Sequence, residues 1–186
     1  RQFFDFLRPK IALENKRIEK ERVFLTSLTV GEISSEQTSY AERLAALYSY
    51  PLKDGAVTQA WLDEMLKRVN VLPEALVLTQ AANESAWGTS RFAKQANNLF
   101  GQWCYKKGCG IVPAKRGAGK THEVEKFDTV QESVHGYFMN VNRNRAYADL
   151  RDIRANLAGK HKDLLSVATA SELTHGLLAY LSLIHI

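Results

Sequence analysis

The stretch from Pro73 to Gly88, "PEALVLTQAANESAWG", constrains the chain more than any other. Pro73 suits a first helical position, where its missing N–H has no partner to lose, and Glu74 complements the positive end of the helix dipole. Gly88, directly after Trp87, supplies a stop. A helix this apolar has to be largely enclosed, so the chain needs a core built around it. It nevertheless finishes in Asn83 and Glu84. A carboxylate there is either a solvated last turn or an acid placed at the edge of a buried helix, and residue spacing leaves both open.

The pattern on either side is helical, with one interruption. From Pro9 to about Leu28, Ile11, Ile18 and Leu25 recur at seven-residue spacing among charged residues, which predicts an amphipathic helix with a narrow apolar stripe. The polar run "GEISSEQTS" at 31–39 predicts a linker, making residues 1–30 an amino-terminal helical arm and 31–180 the main domain. Core helices are expected over 40–48 and 58–69, the second presenting Trp61, Leu62, Met65, Leu66 and Val69 on one face. Residues 102–128 change to Gly, Lys and turn residues around the extended stretches "GIVPA" and "HEVEKF", which predicts a small β-lobe. Helix resumes at Thr129, with Glu132 at capping-box spacing and Val130, Val134, Tyr137, Phe138 and Val141 on one stripe. Two more helices are expected, over 146–158 with Gly159 as its stop and over 163–180. The fold class is therefore α+β, mainly helical with a small β insertion.

The composition, 45% hydrophobic and 24% charged over 186 residues, suits one well-packed domain and excludes a disordered chain. No apolar run approaches the roughly 20 residues that span a bilayer, and "RQFFDFLRPK" lacks the apolar core of a signal peptide, so the chain is expected to be soluble as it stands. Its start at Arg1 leaves room for an upstream targeting segment, and any membrane anchoring is expected to run through a segment absent from this chain. A net charge of +5 suits a polyanionic partner, but Lys and Arg are spread along the chain and no nucleic-acid motif occurs, so no nucleic-acid partner is expected. Cys104 and Cys109 flank "YKKG"; the spacing suits a turn closed by a disulfide, and two reduced thiols remain the alternative. A disulfide would imply an oxidising compartment.

Several blocks in the same order carry a family resemblance: "ESAWGTSRFA", "NNLFGQWC" with "GCG" following, "THEVEKFDTVQESVHGYF" and "NRAYADLR". Over about residues 65–160, and more loosely at "FLRPKIALENKRI" and "GLLAY", the chain resembles the bacterial cell-wall endo-β-N-acetylglucosaminidases (glycoside hydrolase family 73-like), and within them the Bax-type periplasmic branch. The resemblance implies a lysozyme-like fold and cleavage of the β-1,4 bond after N-acetylglucosamine in peptidoglycan glycan strands, in the periplasm or elsewhere in the bacterial envelope, without metal or organic cofactor. It implies that Glu84 is the general acid, that Glu123 is a second acidic residue on the β-hairpin, and that Tyr147 lines the catalytic cleft. Glu125, two residues on and on the same strand face, is a local rival to Glu123, and the substrate's own acetamido group is another. The saccharide cleft is expected to involve Trp87, Asn97, Asn98, Phe100, Gln102 and Trp103; Asn97 and Asn98 have a turn-forming alternative, and Trp87 suits a wall beside Glu84. Phe92 and Phe127 are read as core. The likeness also implies that Cys104 and Cys109 pair.

The chain departs from that pattern at Asn83 and Ala86, where relatives usually carry an apolar residue and Gly, and at "LSLIHI", which is expected to be a foreign or truncated tail over 181–186. A lytic transglycosylase or muramidase on the same fold, and a non-catalytic peptidoglycan-binding module, are the alternative functions.

Overall fold

In the computed structural model, which describes the backbone of residues 1–184 and the side chains of residues 1–177, helix α1 (Gln2–Ser27) runs beneath much of the core. Leu7, Ile11, Ile18 and Leu25 lie on its inner stripe and are each at most 1% exposed. The helix begins at Gln2 rather than at Pro9, which sits inside it. Proline there forfeits one backbone bond and strains the preceding turn, a cost of about 3 kcal/mol. Leu7, together with the partly buried Phe3 and Phe4, extends the apolar stripe across it and offsets that cost.

The same stripe carries buried polar residues. Asn15 Nδ2 donates to the Leu72 carbonyl at 2.8 Å and its Oδ1 accepts the Leu72 N–H at 3.0 Å, so one side chain fixes the approach to the next helices. Arg17 bridges Glu14, at 3.0 Å, and Glu21; the Tyr48 hydroxyl donates to Glu21, and His135 Nδ1 lies 3.0 Å from Glu14 Oε2. Burial alone would raise the Glu14 pKa, but the His135 hydrogen bond and the Arg17 charge outweigh it and hold the carboxyl below its ordinary value.

Helix α2 (Ser35–Leu47) starts inside the segment expected to be a linker. Ser34 and Gln37 form a reciprocal capping box, a signal that the polar composition of the segment obscured. Helix α3 (Gln59–Arg68) is capped by Thr58 and buries Trp61, Leu62 and Met65. Its carboxyl-terminal carbonyls meet two arginines from other elements. Arg22 Nη1 donates to Leu66 and Val69, both at 2.7 Å; Arg154, 0% exposed, donates to the carbonyls of Lys67, Arg68, Asn70 and Val71 and to Asn142 Oδ1. A helix end that would otherwise bury orphan acceptors is thereby satisfied by cations that suit its dipole.

Helix α4 (Glu74–Ser85) buries Leu76, Val77, Leu78, Ala81 and Ala82. After it comes a short helix, α5 (Arg91–Ala96), capped by Ser90. The β-lobe contains β1 (Trp103–Cys104), β2 (Gly110–Ile111) and β3 (Glu123–Glu125) in the antiparallel order β1-β3-β2, with Cys104 and Cys109 joined in a disulfide. Helix α6 (Val130–Arg143) has Thr129 as its cap, while Glu132 Oε2 accepts the Asp128 N–H at 3.0 Å instead of closing the box on Thr129.

A 3-10 turn (Arg145–Tyr147) leads into α7 (Ala148–Gly159), which includes Gly159 rather than stopping before it. Helix α8 (Val167–Ile184) starts later than expected because Asp163, Ser166 and Thr169 close a hydrogen-bonded turn ahead of it. The expectation for 181–186 concerns side chains outside the described residues. Buried residues of α1 to α8 join one apolar cluster, which makes this a mainly helical α+β, lysozyme-like fold. Among the described residues, no helix is long and apolar enough to cross a membrane.

Candidate active site

Helix α4 ends in a run of left-handed residues: Ala86, Trp87 and Gly88 have φ of 48°, 56° and 79°. Ser85 locks the turn, donating from Oγ to the Ala81 carbonyl at 2.5 Å and accepting the Gly88 N–H at 2.9 Å. The run swings the chain away and leaves Glu84 on the exposed rim of a helix whose opposite face is core.

The carboxylate of Glu84 lies over Gly101. A Cβ at Gly101 would fall 3.1 Å from Glu84 Oε2, and Gly101 has φ of +66°, so both the close approach and the backbone call for glycine. Partial burial in this position raises the Glu84 pKa, because the charged form loses hydration. Among the described residues no hydrogen bond or ion pair engages the carboxylate.

Asn98 builds the turn that carries Gly101. It is 1% exposed, its Oδ1 accepts the N–H groups of Phe100 and Gln102, and its Nδ2 donates to the carbonyls of Gln102 and Glu125. Asn97, left-handed at φ 52°, donates from Nδ2 to the carbonyls of Phe127 and Asp128. Both amides are thus committed to backbone and tie α5 and its turn to the β-lobe. Phe100 is buried and stacks on Tyr137, with centroids 4.3 Å apart and planes 10° apart. Gln102 Nε2 reaches toward the Ser133 carbonyl at 3.4 Å, while its buried Oε1 has no hydrogen-bond partner among the described residues.

The two acids of β3 differ. Glu123 is buried, and its oxygens accept the Gly108 N–H at 2.9 Å and the Gly110 N–H at 3.0 Å, on either side of Cys109. Those two backbone bonds hold its pKa below the ordinary value, with smaller help from Arg116 and Lys107. Burial raises Glu125 instead, against the charge of Arg143. Trp103 is exposed and stacks on His122 at 3.9 Å; Trp87 is also exposed and has Phe4 and Phe3 at 5.1 and 6.1 Å. Tyr147 is buried in the 3-10 turn, where Asn144 Oδ1 accepts the Ala146 N–H. Phe92 and Phe127 are half-buried.

The fold thus gathers Glu84, the 97–102 turn and β3 at one junction of helix and lobe. Sequence reasoning did not single out Gly101, which only the contact with Glu84 reveals, nor His122 beneath Trp103, nor Phe3 and Phe4 beside Trp87. A groove of about 760 Å³ between α7 and the start of α8, bordered by Asp152, Asn156, Lys160, Asp163 and Glu172, includes none of these residues. Among the described residues, no cluster of three or more His, Cys, Asp or Glu side chains is placed to hold a metal ion.

Residues 59–175 match the family described as mannosyl-glycoprotein endo-beta-N-acetylglucosaminidase. Protein bax of Escherichia coli K12 is 33% identical over 179 residues, which is 96% of this chain and 62% of that protein, so the chain spans less than two thirds of the relative's length. A solved type VI secretion system effector–immunity complex from Pseudomonas protegens is similar at 20% identity over 78% of this chain and 91% of its own. The TM-score between the two is 0.30.

Proposed function

Because this chain belongs to the glucosaminidase family, we propose that it hydrolyses the β-1,4 bond after N-acetylglucosamine in peptidoglycan, with Glu84 as the general acid. The observation that carries the proposal is the setting of Glu84: a carboxyl at the end of a core helix, against Gly101, without a hydrogen-bond or ion-pair partner among the described residues and with its pKa raised by partial burial. A raised pKa favours the protonated form of the carboxyl, the form that can give a proton to a departing glycosidic oxygen.

The exposed indoles of Trp87 and Trp103 offer flat apolar faces to the C–H sides of sugar rings, whereas the Gln102 amide, with Oε1 buried and Nε2 toward the Ser133 carbonyl, presents no acceptor at the surface. Asn97, Asn98 and Phe100 act indirectly, by setting the turn that holds Gly101 under the acid. The Cys104–Cys109 disulfide supports an extracytoplasmic location.

Mass spectrometry of muropeptides released from purified peptidoglycan, after borohydride reduction, tests the reading. Reduced N-acetylglucosamine ends are expected from the unsubstituted protein, with a rate loss of about 10²–10⁴-fold in Glu84→Gln. Reduced muramic ends would make the enzyme a muramidase, 1,6-anhydro ends a lytic transglycosylase, and no release a binding module.

A further inference from the structure

The side chains of Glu123 and Glu125 leave the same face of β3, on either side of the buried Val124. The Glu123 carboxylate is committed. Its two oxygens hold the N–H of Gly108, inside the loop closed by the disulfide, at 2.9 Å and that of Gly110, the first residue of β2, at 3.0 Å, and these bonds favour the charged form in that one position. The two bonds stabilise its ionised form, which makes it a weaker base.

The Glu125 carboxylate carries no such load. Among the described residues no hydrogen bond or ion pair engages it, and its strand partner Gly110 adds no side chain on that face; a Cβ there would overlap the Val124 carbonyl. Its backbone, by contrast, is held at both ends: the Glu125 N–H donates to the Gln102 carbonyl at 2.9 Å, and its carbonyl accepts Asn98 Nδ2 at 2.9 Å. Asn98 Nδ2 also donates to the Gln102 carbonyl at 3.0 Å, and Gln102 directly follows the glycine over which Glu84 lies. One amide therefore joins the chain segment under Glu84 to the strand that bears Glu125.

We propose that Glu125, and not Glu123, is the second carboxylate of the reaction, acting as general base toward water, while Glu123 is a positioning residue for the β-lobe. This rests on the glucosaminidase reading above. In the step, Glu84 gives its proton to the departing oxygen as the bond from that oxygen to the anomeric carbon breaks. The oxygen of one water bonds to that carbon, and Glu125 takes the proton that the water sheds. One water is consumed, and exchange with solvent returns Glu84 to its acid form and Glu125 to its carboxylate. Burial makes Glu125 the stronger base of the two β3 acids once ionised, and Arg143 offsets part of that effect.

The test compares Glu125→Gln, Glu125→Asp and Glu123→Gln in the full chain, reading kcat and KM from reduced N-acetylglucosamine ends and Tm by circular dichroism. Glu125→Gln should lose about 10²–10⁴-fold in kcat with Tm and KM little changed. Glu125→Asp, which keeps a carboxylate, should recover part of that loss. Glu123→Gln should melt several degrees lower and keep its kcat below that transition. Unsubstituted kcat in Glu125→Gln, no recovery in Glu125→Asp, or a kcat loss in Glu123→Gln at unchanged Tm would each overturn the assignment. If the unsubstituted protein releases no such ends, the glucosaminidase reading fails, and the assignment fails with it.

Discussion

Replacing Gly101 with alanine separates two jobs that one glycine performs. The first is conformational. At φ +66° a Cβ costs about 1–2 kcal/mol. In a domain of this length each kcal/mol moves Tm by roughly 2–4 °C, so the fall is about 2–8 °C. The second job is to leave room for the acid. The new Cβ would sit 3.1 Å from Glu84 Oε2, whereas comfortable contacts lie at about 3.5–4.0 Å, so the carboxylate must retreat by roughly 0.4–0.9 Å. A catalytic group misplaced by about 1 Å costs on the order of 10²-fold, which sets the expected loss in kcat at about 10–10²-fold. Gly119→Ala is the matched control, because Gly119 has φ +77° and nothing within 4 Å of a Cβ. Both variants should lose similar Tm, measured by circular dichroism, and only Gly101→Ala should lose kcat on peptidoglycan. Equal kcat in the two variants would refute the claim that this contact places Glu84.

Ala86→Gly should stabilise the protein, because Ala86 holds φ 48° where a side chain is strained; the gain is about 1 kcal/mol, or roughly 2–4 °C in Tm. An unchanged or lower Tm would show that the strain is compensated elsewhere. Glu14 links stability to acid. Its folded pKa is lowered, so its contribution is fully present above the unfolded carboxyl value of 4.5 and is lost as pH falls through the lower, folded value. Glu14→Gln should therefore have a lower Tm at pH 7 and a shallower decline than the unsubstituted protein below pH 4.5, measured by thermal melts across that range.

Local rules carried far in some segments and failed in others for identifiable reasons. Helix α3 was legible because its Trp61, Leu62 and Met65 stripe is a short-range feature. Helix α1 was legible in its interior but not at its start, because a proline rule about one lost hydrogen bond competes with burial of Leu7, which sequence alone cannot weigh. Ser34 and Gln37 carried a capping signal that polar composition hid.

By itself the sequence determined a mainly helical chain around the apolar helix at Pro73, a β-lobe near residues 102–128, and a family pattern that singled out Glu84, because periodicity, caps and turns act over a few residues. Only the tertiary structure decided what each acid faces. Glu84 meets a glycine 17 positions away, and Glu123 meets the backbone amides of Gly110 and Gly108, 13 and 15 positions away, whereas Glu125, two residues on, meets neither. A carboxylate's hydration and hydrogen bonds depend on such distant partners, so its chemistry is a property of the packed chain.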